Sequence, residues 1–565
     1  MLIWELLKKL DFDDCKKFRS WLSSRNPFLI EKPHLYSLST GLVSIVGKDS
    51  VSCERAEELG ELIQSSFNNT AMDKCCIKRK DTVVQLTSLY NIKKDKISVT
   101  PIQSQTLFVR LIAVASRLTT LESAFQYELT PEPMSLFKNG FMRKADKPAL
   151  KKMLLHEANV VSRETEIPSY SVSVIDGGSL LHRVRWIKGT NFDDVASTYT
   201  SYIKKRYKNP IIVFDGYQHA STKDHEHVRR YTVPHSSFVE IDDTNGIPYT
   251  QERYLSLEEN KVEFIKYLSQ KFVQSGIMTK NCSGDADNEI VKTAIIQCKE
   301  NLSPVLVVSD DTDISVLLLY NWQNDMSDIF LLQERTKQWW SIKKSQCGIK
   351  ELKDHLLFLH AWSGCDSCSS TFGKGKGHMV KVFKSSLELQ AVSKVFVNPQ
   401  STQNQIGNAS TTAFRIIYGG SQNETLPQIR YHLYMKMAYQ GMILPEKLPP
   451  TARTAHFHGL RVHYQIMQWL LLSEDVSLNA CDWGWLKKQN KLLPITTDSD
   501  VAPPLLKNVI RCKCNLNTKN PCGTGQCTCR KYGMVCLPSC GGCHGDGCNN
   551  SDLVGADESS FEDIN

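Results

Sequence analysis

The chain has 565 residues, 41% hydrophobic and 23% charged, with a net charge of +8. That is ordinary globular composition, enough for three to four domains at about 150 residues each, and it excludes a wholly disordered, collagenous or low-complexity protein. No run reaches about 18 consecutive apolar residues, and the start MLIWELLKKLDFDD lacks the charged, apolar, small order of a secretory signal. A soluble intracellular protein with no membrane partner is expected.

Residues 1–160 read as a helical N-terminal region, because apolar residues recur every three or four positions in CERAEELGELIQSSF and TLFVRLIAVASRLTTLESAF. Within it, KCCIKRK (Lys74 to Lys80) reads as solvated surface. The stretch FKNGFMRKADK (137–147) could lie along DNA, though nothing specific argues for it. From 165 to 385 the texture changes. Apolar strand runs (SVSVID, PIIVFDG, PVLVVSDD, DIFLLQ) alternate with helical stretches, which predicts an α/β domain with a parallel sheet flanked by helices. Residues 386–410 are polar and read as a linker. A mainly helical region, 411–495, follows; its His456, His458 and His463 fall at helical spacing among aromatics, which favours packing over metal binding. The segment TTDSDVAPP reads as a second linker, 505–550 as a small cysteine-rich module, and 551–565 as an acidic disordered tail.

Ligands in open parallel sheets bind beyond the carboxyl ends of the strands, and there this chain carries its aspartates. SVSVID ends in Asp176 and PIIVFD in Asp215; SDDTD carries Asp310, Asp311 and Asp313; GDAD carries Asp285 and Asp287; SGCD carries Asp366. One such aspartate is usually a helix N-cap. Several converging on one sheet edge repel each other unless cations neutralise them, and hard oxygen ligands suit Mg²⁺ or Mn²⁺. Two such ions are the usual device for cleaving a phosphodiester.

The order VIDGGSLL, VFDG, GDAD, SDDTD, then GCD before GKGKG resembles the PIN-like nucleases of the flap-endonuclease superfamily over roughly 165–385. The resemblance implies DNA hydrolysis with Asp176, Asp215, Asp285, Asp287, Asp311, Asp313 and Asp366 as ligands of two Mg²⁺ or Mn²⁺ ions, and Asp310 supporting the turn. It also implies that Lys223, Arg229 and Arg230 grip the scissile phosphate; a solvated helix face paired with Asp224 and Glu226 is the alternative. After GCD, the loop FGKGKGHMVK resembles the one with which these nucleases hold duplex backbone. Gly373, Gly375 and Gly377 would permit close approach, and Lys374 and Lys376 would add charge; a flexible surface turn is the alternative. The pattern departs from the family in three ways: GDAD has aspartates where glutamates are common, Ser367 and Cys368 follow GCD, and about 170 residues precede the first strand.

Nine of the 19 cysteines lie between Cys512 and Cys548: Cys512, Cys514, Cys522, Cys527, Cys529, Cys536, Cys540, Cys543 and Cys548. In a reducing compartment such density means metal more often than disulfide. Structural Zn²⁺ takes four thiolates, so nine serve three zincs only if three sulfurs bridge. Two four-cysteine sites with one spare is the alternative, and His544 could replace a ligand. The segment RCKCNLNTKNPCGTGQCTCRKYGMVCLPSCGGCHGDGCNN resembles a tesmin-type CXC domain. That resemblance implies a DNA-binding tail, with Arg530, Lys531 and Tyr532 as candidate contacts; a structural zinc knob is the alternative. End to end, the chain resembles mobile-element-associated invertebrate proteins that join these two parts. The expectation is a nuclear, metal-dependent DNA nuclease with a zinc-bound tether. A mobile-element-derived DNA-binding protein with an inactive nuclease-like domain is the alternative.

Overall fold

A computed structural model describes residues 15–16, 19, 56–68, 108, 111–112, 115, 120–130, 132–138, 140–157, 167–187, 190–216, 222, 238–241, 247, 249–282, 284–439, 443–470, 478–488, 491–503, 514, 520–524, 527, 530, 536, 543 and 548–550. The chain divides into two compact units. The first comprises 1–140, 420–452 and 498–565, and the second 141–419 and 453–497.

In the first unit, helix Ala56–Asn68 opens with Glu57 and Glu58, which suit the positive end of the helix dipole. The unit's apolar cluster gathers Phe108, Leu111, Phe125, Leu129 and Leu448. Val501 and Ala502 join it, so part of the segment expected as a second linker is packed. Beside the cluster, buried Arg430 donates from Nε to the Phe125 carbonyl at 3.2 Å and pairs with buried Glu128 at 3.4 Å. The basic stretch 74–80 and the acidic tail 551–565 lie outside the described residues.

The second unit is built on a six-stranded sheet. Its elements in chain order are α1 (Lys147–Glu157), β1 (Val172–Asp176), α2 (Gly177–Arg183), α3 (Phe192–Arg206), β2 (Pro210–Phe214), α4 (Glu258–Gln274), β3 (Met278–Asn281), α5 (Asp287–Glu300), β4 (Val305–Val308), α6 (Thr312–Asn321), β5 (Ile329–Gln333) and β6 (Gln338–Ser341). After the sheet come α7 (Leu356–Trp362), α8 (Lys376–Ser385), α9 (Leu387–Val397), α10 (Gln403–Ile417) and α11 (Ala452–Leu470).

The strand order is β3-β2-β1-β4-β5-β6; all neighbours are parallel except the β5–β6 pair. Parallel strands buried on both faces need apolar residues on both, and β1, β2 and β4 have them. Ile175, Ile212, Phe214, Leu306 and Val308 pack with Phe192 and Tyr199 of α3 and Phe264 and Leu268 of α4. The alternate residues Val174, Val213 and Val307 are equally buried on the other side of the pleat. The expected α/β fold with helices flanking a parallel sheet is therefore the fold observed. Strand order reverses between β1 and β4, so the carboxyl ends of these two strands open the crevice where such sheets hold ligands.

Two expectations need correction. Residues 386–410 are no linker: they form α9 and most of α10. The polar text hides a helix that packs through small residues. A Cβ on Gly407 would run into the His456 ring, and one on Gly459 would lie 2.7 Å from Ser410 Cβ. Nor is 411–495 one separate helical region. Residues 420–452 belong to the first unit, and 453–497 fold with the sheet. Within α11, His458 is buried against Trp362 and Phe414, and the buried His463 donates from Nδ1 to the Phe396 carbonyl at 2.9 Å. These histidines pack, as their spacing suggests. Among the described residues no helix is long and apolar enough to cross a membrane.

Candidate metal centre

β1 delivers Asp176 to the crevice, and β2 delivers Asp215 one residue past its end. Asp176 also caps α2, accepting from the Ser179 N–H at 3.0 Å. Its second oxygen accepts the Ser309 hydroxyl at 2.9 Å. Burial raises its pKa, which the bonds from Ser179 and Ser309 oppose and the neighbouring Asp215 carboxylate reinforces. A Cβ on Gly178 would lie 3.2 Å from Asp215 Oδ2 and 3.4 Å from Asp176 Oδ1, so the second glycine of VIDGG leaves a small cradle between two carboxylates.

Contacts continue from this pair in both directions. Asp215 Oδ1 accepts the Ala286 N–H at 2.9 Å, which ties β2 to the GDAD turn. There the Asp287 N–H points at Asp285 Oδ1 at 3.4 Å; Asp287 is buried and Asp285 exposed. In the other direction the Ser309 hydroxyl accepts the Asp311 N–H at 3.0 Å. Asp311 then caps α6, accepting from the Asp313 N–H at 2.8 Å. Lys147 closes the run, with Nζ 3.0 Å from Asp313 Oδ2 and 2.8 Å from Asp366 Oδ2. Hydrogen bonds thus tie Asp215 to the GDAD turn, and hydrogen bonds and ion pairs link Asp176 through Ser309 to Asp311, Asp313, Lys147 and Asp366, with the Gly178 backbone standing between Asp176 and Asp215. Asp310 points away and pairs with Arg183, while its other oxygen accepts the Arg335 N–H at 3.2 Å, the turn-supporting place expected of it.

A second layer lies behind Asp313. The buried ammonium of Lys376 donates to His360 Nδ1 (3.1 Å), the His360 carbonyl (3.1 Å), Ser363 Oγ (3.1 Å) and the Gly364 carbonyl (2.9 Å). With Nδ1 accepting, the proton of neutral His360 sits on Nε2, which donates to Asp313 Oδ1 at 2.8 Å. Burial first, and then the Lys376 charge, push His360 down to about 4, so the ring is neutral at pH 7. The ring also stacks on Trp469 at 5.3 Å. This histidine-to-carboxylate support is the kind of outer shell that orients metal ligands. Lys147 differs. Burial disfavours its ammonium, but Asp313, Asp311 and Asp366 outweigh that and hold its pKa well above the ordinary lysine range. One turn along α1, the ammonium of buried Lys151 sits 4.0 Å above the Trp340 ring.

Lys376 therefore needs correction: expected to touch a duplex backbone, it is 3% exposed and committed inward. Lys374 is half-buried, its ammonium 5.4 Å from the Tyr418 ring. Gly373 has φ +68°, where glycine is favoured, and Gly375 is the N-cap of α8, so the glycine-lysine segment is a turn into a helix. Lys223, Arg229 and Arg230 lie outside the described residues. Sequence reasoning missed three members of the site: Ser309, Lys147 and His360. Lys147 closes the basic stretch FKNGFMRKADK, which gave no sign that it turns inward.

In the cysteine module, Cys522, Cys536, Cys543 and Cys548 are buried with their ligand atoms within 4.8 Å of one another. Cys514, Cys522 and Cys527 form a second such group. Cys522 belongs to both, as a bridging sulfur would. The Sγ atoms of Cys527 and Cys536, one from each group, are 3.8 Å apart, so the two groups lie side by side. The donor set fits a thiophilic metal. Cys512, Cys529, Cys540, Lys531 and Tyr532 lie outside the described residues. Arg530 is exposed and reaches the Gly523 carbonyl and, at 3.4 Å, Asn550 Oδ1.

Compared with known proteins, residues 5–128 match a domain of unknown function (DUF8702). That match covers the N-terminal region and none of the aspartate or cysteine residues of the candidate metal sites. No curated protein matches the chain. Similar solved structures include the phage T5 D15 protein co-crystallised with metal ions (15% identity, 54% of this chain and 100% of that one, TM-score 0.27). They also include the catalytic core of Rad2 in complex with a DNA substrate (14% identity, 52% and 79%, TM-score 0.29). Likenesses this weak decide nothing about activity.

Proposed function

We propose that the second unit is a divalent-metal-dependent nuclease that hydrolyses phosphodiester bonds in DNA, with the cysteine module as a zinc-bound DNA tether. The observation that carries this reading is the placing of Asp176 and Asp215 on either side of Gly178, at the crevice where strand order reverses, with contacts running from Asp215 to the GDAD turn and from Asp176 through Ser309 to Asp311, Asp313 and Asp366. The Gly178 cradle and the hard oxygen donors suit Mg²⁺ or Mn²⁺. Bound there, a divalent ion supplies Lewis acidity to the phosphate and acidifies a water molecule. The chain's own residues hold the carboxylates in place: Ser309 sets Asp176 against Asp311, and His360 fixes the rotamer of Asp313. Lys223, Arg229 and Arg230 remain the proposed grip on the scissile phosphate, and Lys374 the proposed contact to duplex backbone. A nuclear, mobile-element-derived protein is the setting this reading suggests.

One feature favours the alternative, an inactive domain that only binds DNA: Lys147 already neutralises two of the seven carboxylates. The test is incubation of the zinc-loaded chain with flapped, branched and single-stranded DNA in Mg²⁺ or Mn²⁺, beside Asp176→Asn/Asp215→Asn. Cleavage by the parent alone supports the enzyme. Binding without cleavage on every substrate supports the alternative, and equal cleavage by the variant removes the site from the reaction.

A further inference from the structure

The carboxylates are not equally served by protein cations. Asp313 has both oxygens engaged, Oδ1 by His360 at 2.8 Å and Oδ2 by Lys147 at 3.0 Å. Asp366 Oδ2 shares the same ammonium at 2.8 Å. Lys147 is the first residue of α1, which is anchored by buried Leu150 and Leu154 and lies against α6 and α8, the helices that begin just before Asp313 and just after the GCD loop. Its position is therefore set by packing rather than by a long free arm. Asp176 and Asp215 differ: among the described residues no lysine or arginine pairs with either, and the Gly178 cradle lies between them.

A divalent ion bridging Asp313 and Asp366 needs carboxylate oxygens at about 2.0–2.1 Å. An ammonium nitrogen held 2.8–3.0 Å from the same two oxygens occupies that space, and two cations cannot share it. We propose that Lys147 is a resident cation that takes the place of one of two metal ions, so that the centre binds a single divalent ion on the Asp176–Asp215 side while Lys147 is docked. This rests on reading the carboxylate cluster as a divalent-metal centre. It makes Lys147 a positioning residue for Asp313 and Asp366 and a determinant of metal stoichiometry. The helical segment ahead of β1 thus completes the site, and a second ion enters only when the Lys147 end of α1 is displaced.

The experiment is Mn²⁺ titration of the full, zinc-loaded chain, read by electron paramagnetic resonance, for the parent, Lys147→Met and Asp176→Asn/Asp215→Asn. The Asp variant subtracts ions bound elsewhere. The parent should bind one magnetically isolated Mn²⁺. Lys147→Met should bind two that are spin-coupled, the second at least about tenfold more tightly than in the parent because a neighbouring positive charge is gone. Two coupled ions in the parent, or one ion with unchanged affinity in Lys147→Met, overturn the resident-cation proposal and leave the nuclease reading standing. Mn²⁺ uptake by the parent no greater than by the Asp variant overturns both. Circular dichroism checks folding. Should Lys147→Met fail to fold, the parent's own stoichiometry still decides: one isolated ion supports the proposal and two coupled ions refute it.

Discussion

Lys376→Met separates an inward-facing support from a DNA contact. The ammonium it removes makes four contacts of 2.9–3.1 Å in a site where the residue is 3% exposed. Burial lowers the Lys376 pKa from 10.5 to about 8, so holding the charge there costs about 3 kcal/mol. The three N–H groups share these four acceptors, and hydrogen bonds from a charged donor are worth about 1.5–3 kcal/mol each, so together they exceed that cost. Methionine fills the volume but takes the ammonium donor from His360 Nδ1, Ser363 Oγ and the carbonyls of His360 and Gly364. The expected loss is about 3–5 kcal/mol, the range for removing one side of a buried charged network. The assay is urea unfolding of the full chain followed by tryptophan fluorescence, to which Trp469 on the His360 ring contributes. Lys374→Met, at the half-buried position two residues away, is the control and should lose less than about 1 kcal/mol. If Lys376→Met unfolds at the parent's urea concentration, the inward assignment is wrong. If it unfolds normally and weakens DNA binding, the original sequence expectation is restored.

Other consequences follow from the same geometry. Gly177→Ala should destabilise the fold by about 1–3 kcal/mol, because its Cβ would lie 2.7 Å from the Val213 carbonyl and nearer still to the Phe214 ring; a melting temperature equal to the parent's would contradict this. Gly178→Ala should fold normally yet bind Mn²⁺ more weakly, since its Cβ enters the cradle between Asp176 and Asp215. Burial, and then Arg461, lower His458 to about 3, and His360 is lowered to about 4, so both are neutral in the fold while the unfolded chain takes up their protons below pH 6.5. Stability from these groups is full above pH 6.5 and is lost on acidification; from pH 6.5 to 4.5 each contributes about 2–3 kcal/mol of loss. His458→Leu should remove roughly half of that slope, and an unchanged pH profile of the melting temperature would refute the assignment. Cys522→Ser should release more zinc, measured by mass spectrometry of the desalted chain, than Cys514→Ser, because only Cys522 belongs to both thiolate groups.

Much of the sheet was legible because parallel strands buried on both faces spell out as apolar runs. The aspartates at their ends were legible because the chain must leave the sheet there. Their convergence could be expected from topology alone, since β1 and β4 are neighbours in space although more than a hundred residues apart in the chain. What stayed hidden has a physical reason in each case. Helix α10 looks like a linker because Gly407, Ala409 and Ser410 pack by being small, which hydrophobic periodicity does not register, whereas α9 buries Leu389 and Phe396 in the ordinary way. Lys374 and Lys376 stand two residues apart in one basic turn, and only the start of α8 decides that the second points inward. Lys147 and His360 reach Asp313 from elements remote in sequence, so no local motif could announce them.

The central claim is that the aspartates at the β1–β4 crevice carry metal-dependent hydrolysis of DNA. The most direct measurement is the single-turnover cleavage rate of a labelled DNA in saturating Mg²⁺ for the parent and for Asp215→Asn, whose amide oxygen can still accept the Ala286 N–H. The account predicts measurable cleavage by the parent and a loss of at least about a hundredfold, roughly 2.7 kcal/mol, in the variant. Equal rates in the two proteins would contradict it.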